Sequence, residues 1–82
     1  MNQGVIVQDG FASVRDGQYL RVTVLVAGAS IPCDIGPLSG TDAEHFYHQH
    51  QFEIEEALEQ WFADNEPPND GPLTLSPQSI LG

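Results

Sequence analysis

Apolar and polar residues alternate along Tyr19-Leu20-Arg21-Val22-Thr23-Val24-Leu25-Val26, and this period of two predicts a strand. Its β-branched and aromatic residues favour the same element. Leu20, Val22, Val24 and Val26 then share the core face, and Tyr19, Arg21, Thr23 and Leu25 the other. Ala27-Gly28-Ala29 permits a tight reversal into Ile31-Pro32-Cys33-Asp34-Ile35, with Ile31, Cys33 and Ile35 on one face. Pro32 has no N–H, so this second strand is expected at an edge, or with the Pro32 nitrogen turned outward. Upstream, Val5-Ile6-Val7 and Phe11-Ala12-Ser13-Val14-Arg15 read as short strands, and the turn dipeptides Asp9-Gly10 and Asp16-Gly17 frame the second.

After the connector Gly36-Pro37-Leu38-Ser39-Gly40 the period changes. Ala43, Phe46, Tyr47, His50, Ile54, Ala57, Leu58 and Trp61 recur at intervals of three and four, which predicts one long amphipathic helix over about residues 42–63. Thr41 and Glu44 have the spacing of a capping box, and Asp42 and Glu44 suit the positive end of the helix dipole. Asn65 and Pro67-Pro68 end the helix. A polar loop from Asp64 to Pro72 precedes Leu73-Thr74-Leu75, a candidate closing strand. The tail, residues 76–82, either packs through Ile80 and Leu81 or stays loose. The expected architecture is a single α+β domain over residues 1–82: an antiparallel sheet of three to five strands covered by one helix.

Charge narrows the partners. The chain has 82 residues, 12 of them acidic, and its only fixed cations are Arg15 and Arg21; it contains no lysine. The formal net charge is −10. Nucleic acids and anionic membranes are poor partners for such a surface, because affinity for both depends on cations that meet phosphates. A basic protein surface is the natural complement. Cys33 is the only cysteine, so no internal disulfide forms, and it reads as a small buried hydrophobe. The N-terminus has no signal-like apolar core, and no apolar run approaches the roughly 20 residues that span a bilayer. The cytoplasm is the expected compartment.

Few constellations suggest chemistry. His45 and His48 stand one helical turn apart, with Glu44 four before His48, and such a group can hold a divalent transition metal. A solvated helix face is the simpler account, since no cysteine or second histidine cluster completes a tetrahedral set. His50 lies on the apolar stripe, where a buried neutral imidazole with one hydrogen bond is expected. Glu53, Glu55, Glu56 and Glu59 crowd the outer helix face with no cation among them. Phe52 falls on that face too. Either a kink near Gln49 turns it inward, or it anchors a partner or a second copy of the chain. No nucleophile elbow, phosphate loop or dinucleotide fingerprint occurs, and no cofactor is implied.

Two stretches carry a resemblance. Val26-Ala27-Gly28-Ala29-Ser30-Ile31-Pro32-Cys33-Asp34-Ile35 is similar to the V-x-G-x-x-[IVL]-x-C-x-[IV] hairpin of the bacterial family known as domain of unknown function 1488. Tyr47-His48-Gln49-His50-Gln51-Phe52-Glu53-Ile54-Glu55-Glu56-Ala57 resembles that family's aromatic-x-x-His-Arg-aromatic-acid-[IL]-Glu helix pattern. The likeness covers residues 19–62 and implies a small α+β fold, with an antiparallel sheet and a helix on one face. The chain departs at Gln51, where the pattern has arginine, and its segment between hairpin and helix is shorter. The family brings no activity with it.

The leading expectation is a small acidic cytoplasmic protein that acts as a non-catalytic interaction or accessory module, through Phe52, Glu55, Glu56 and Glu59. An acidic mimic of nucleic acid that inhibits a basic protein is the alternative, and a metal-binding protein built on His45, His48 and Glu44 is a further one. The exposed aromatic and an edge strand allow a weak homodimer, which like charge opposes, so the expected state is a monomer or a weak homodimer.

Overall fold

A computed structural model describes residues 4–81. The chain runs β1 (Val5–Val7), β2 (Ala12–Val14), β3 (Tyr19–Val26), β4 (Ala29–Ile35), α1 (Ala43–Gln49), α2 (Gln51–Asp64), β5 (Leu73–Leu75) and α3 (Pro77–Leu81). It is an α+β fold with a mostly antiparallel five-stranded sheet and helices.

The alternation of β3 organises the sheet. Leu20, Val22, Val24 and Val26 are buried, while Tyr19, Arg21, Thr23 and Leu25 are half-buried on the opposite face. Ala27 and Gly28 both take positive φ, 52° and 88°, which joins β3 to β4 by a two-residue turn whose twist suits a hairpin. The register runs from Val26↔Ala29 to Leu20↔Ile35. The other edge of β3 is shared: β1 pairs with its C-terminal half and β2 with its N-terminal half.

Two expectations about the elements change, and one open alternative is decided. The first concerns β5, which pairs with β4 in parallel, not antiparallel. The helical segment carries the chain back across the sheet before β5 begins, and a crossover of that kind is what parallel pairing requires. β5 reaches only Cys33, Asp34 and Ile35, so the outer side of β4 is uncovered at Pro32, where a strand edge was expected.

The second is the helix. The helical run is present but breaks at His50, whose φ of −122° and ψ of 30° are not helical. The ladder continues across the break: His50 N donates to Phe46 O at 3.0 Å, and Ile54 N donates to His50 O at 2.9 Å. α1 packs over β2 and β3, and α2 over β1 and beside α3. A twisted sheet offers these two halves differently inclined surfaces, and the break lets each follow its own. Asp42, not Thr41, caps α1: its side chain accepts from His45 N at 2.8 Å, while the Thr41 hydroxyl donates to the Asp42 carbonyl. The helix starts one residue later than a Thr41 cap would place it, and this sets Ala43 in the core.

The tail takes the packed one of its two expected alternatives, as the short helix α3. Pro77 opens α3 with its preset φ, and Ser76 Oγ accepts from Ser79 N at 3.3 Å. Ile80 is buried against the core and Leu81 is half exposed; Gly82 lies outside the described residues.

Candidate functional site

Two groupings of charged side chains stand out, one on the open face of the sheet and one on α2. On the sheet face turned away from the helices, Arg21 and Asp34 stand directly opposite one another in the hairpin. Arg21 Nε donates to Asp34 Oδ1 at 2.7 Å, and Arg21 Nη2 to Oδ2 at 3.0 Å, a bidentate pair. Arg15 reaches the same carboxylate, with Nη2 3.3 Å from Oδ2. Arg15, Asp16 and Gly17 take φ of 55°, 60° and 80°, and this left-handed turn folds Arg15 back until its guanidinium lies 4.4 Å over the Tyr19 ring. Asp34 is wholly buried. Hydrogen bonds to Asp34 hold the Arg21 guanidinium charged, above its ordinary value. Both fixed cations of the protein are thus spent on one internal carboxylate.

The neighbouring Cys33 faces the core from the same strand, and its Sγ donates to Ile31 O at 3.7 Å. Burial, with the charge of Asp34 adding to it, pushes the thiol up to about 12. It is a packed thiol with no nucleophilic role at neutral pH.

On the other side, the outer face of α2 presents Phe52, 81% exposed. The break at His50 does not turn it inward. Stepping about 100° per residue puts Glu56 and Glu59 within about 40° of Phe52, with Glu55 about 60° away. Glu56 and Glu59 are exposed and Glu55 half-buried. The structure therefore groups Phe52, Glu55, Glu56 and Glu59 on one helix face, free of any cation.

The candidate metal residues gain no further ligand. Glu44, His45 and His48 are exposed on α1, and among the described residues no group of three or more His, Cys, Asp or Glu is placed to hold a metal ion. The His48 ring instead packs edge-on against Phe11 and Tyr47, at centroid separations of 5.9 and 5.5 Å. Tyr47 uses its hydroxyl to accept from Gly10 N at 3.0 Å, which ties the β1–β2 turn to α1. His50 departs from its expected hydrogen bond. Its Nδ1 is buried without a partner, 3.9 Å from Glu53 Oε1, and its ring packs 4.9 Å from Phe46.

Sequence reasoning passed over Asp34. A signal was present: a two-residue turn at Ala27-Gly28 sets a register in which position 34 faces position 21. Asp34 was the acid able to pair with Arg21 across the strands.

Comparisons with protein-family models, curated proteins and solved structures found no match for this chain. The likeness to domain of unknown function 1488 rests on its hairpin and helix stretches alone. No helix of the described residues is long and apolar enough to cross a membrane.

Proposed function

We propose that this protein is a non-catalytic docking module, cytoplasmic and bacterial, which binds a basic protein surface through the outer face of α2. One observation carries the reading: Phe52 stands 81% exposed on a face bordered by Glu55, Glu56 and Glu59. An aromatic side chain in that position is an anchor for an apolar pocket, and the surrounding carboxylates steer a cationic rim onto it. The Arg15–Arg21–Asp34 cluster supports the polarity of the encounter, since it keeps both cations on the far side of the sheet. Mimicry of nucleic acid accounts for the carboxylates but leaves Phe52 without a task.

The test is retention of proteins from a bacterial lysate on immobilised protein at low and high salt. Phe52→Ala and a Glu55/Glu56/Glu59→Gln triple variant serve as controls. Retention is expected to fall at least tenfold with Phe52→Ala, about 1.4 kcal/mol or more, and to fall as salt rises. Capture that ignores salt and both variants would refute the assignment of the surface.

A further inference from the structure

We infer that the groove between α2 and α3 seats a basic amphipathic helix supplied by another protein. This deepens the docking reading above and rests on it. The groove is a shallow, open depression of about 640 Å³ beside the Phe52 face. Its apolar surface comes from Ala57, Ala63, Ile80 and Leu81, and its carboxylates from Glu53, Glu56 and Glu59. Leu81 is 50% exposed there.

The chemistry of the lining selects the occupant. The carboxylates reject an acidic segment, and the apolar surface rewards methylene and branched side chains. A second copy of this chain does not fit, because both of its arginines are held by Asp34 and it has no lysine. The geometry favours a helix over an extended strand. Two helices form the walls, so the groove offers no free strand edge to pair with, whereas a helix needs only side-chain contacts. Glu53 and Glu56 lie one turn apart along α2, a rise of about 4.5 Å. That spacing matches cations three or four residues apart on a helix lying alongside. Apolar residues on the neighbouring stripe of the same helix then meet Ala57, Ile80 and Leu81.

The probe is a synthetic peptide of leucine and lysine at helical spacing, titrated into isotope-labelled full-length protein. A peptide of the same composition in scrambled order is the comparison. Ala63→Trp places a bulky side chain at an exposed position of the groove, and Glu53→Gln/Glu56→Gln removes two carboxylates without adding volume. Saturable shifts at Ala57, Ala63, Ile80 and Leu81 are expected. They should require roughly tenfold more peptide in Ala63→Trp and several-fold more in the double variant. Equal binding of the scrambled peptide would overturn the helical occupant. Shifts confined to Phe52 and Glu55, and unmoved by Ala63→Trp, would overturn the groove and leave the docking surface standing. Absence of any saturable shift would also overturn the groove; the lysate experiment with Phe52→Ala then judges the docking reading separately.

Discussion

Replacing Arg21 by methionine, with Asp34 left in place, tests how the sheet tolerates a carboxylate inside it. Asp34 is wholly shielded from solvent and has three guanidinium contacts: Arg21 at 2.7 and 3.0 Å, and Arg15 at 3.3 Å. Arg21→Met removes two of the three, including both hydrogen bonds. Leaving one partner of a buried pair uncompensated costs about 3–5 kcal/mol, and the remaining Arg15 keeps this case near 3 kcal/mol. A domain of this size has about 4–12 kcal/mol of total stability, so the loss is a large share of it. The reverse change, Asp34→Asn, is milder, at about 2 kcal/mol. It strands two guanidiniums whose side chains are 44% and 38% exposed and can turn to water. Arg21→Met combined with Asp34→Leu replaces the pair with apolar side chains and should recover about 2 kcal/mol over Arg21→Met alone. Denaturant unfolding of the wild type and the three variants measures these differences, with unchanged slope and shifted midpoint as the signature. The reasoning is wrong if Arg21→Met costs under about 1 kcal/mol, or if the double variant is no more stable than that single variant.

The remaining expectations concern the turn, a tight contact, the thiol and salt. Ala27→Asn should raise stability by about 0.5–1 kcal/mol, because Ala27 holds φ 52° in a turn that favours Asn-Gly; a lowered unfolding midpoint would contradict it. Gly36→Ala should cost about 2 kcal/mol, since a Cβ there would lie 2.6 Å from Tyr19 Cδ2 and 2.7 Å from Gln18 O; an unshifted midpoint would contradict it. For Cys33 the folded state keeps its proton up to about 12, whereas an ordinary thiol ionises near 9.0. Above pH 9.0 the unfolded chain therefore releases a proton that the folded chain retains, and stability falls as pH rises, by at most about 1.4 kcal/mol per unit. Cys33→Ala should remove that share of the alkaline slope, which unfolding series at successive pH values will measure. Added sodium chloride should raise the unfolding midpoint of the native protein by screening repulsion among its carboxylates, and a fall would contradict it.

Much of the architecture was legible because it depends on local period. The two faces of β3, the Ala27-Gly28 reversal and the helical content from 43 to 64 follow from alternation, turn chemistry and three-and-four spacing. Elements that depend on tertiary packing were not. The apolar stripe runs through His50 without interruption, so only the off-stripe position of Phe52, which allowed a kink near Gln49, hinted at the break at His50. The direction of β5 follows from the path of the chain and not from Leu73-Thr74-Leu75 itself. α3 is too short to show periodicity, although Ser76-Pro77 has a cap and a first-turn proline. At the candidate site, the carboxylate face was visible as a wheel, but the exposure of Phe52 depended on how the helix broke. The groove depends on α3 and could not be anticipated without it.

The arginines give the acidic composition a spatial meaning. Had Arg15 and Arg21 stood free, they would have offered α2 of another copy an attractive patch, and the chain could have joined head to tail. Asp34 weakens that patch by taking both into a single cluster while its own charge is buried. The net charge of that cluster is one positive unit, against five carboxylates on α2: Glu53, Glu55, Glu56, Glu59 and Asp64. Self-association is therefore opposed on the acidic side and only weakly favoured on the other. The proposed docking surface then gains specificity from what the rest of the protein withholds. A partner must bring its own lysines or arginines and an apolar pocket for Phe52, and a copy of this chain brings neither cation free.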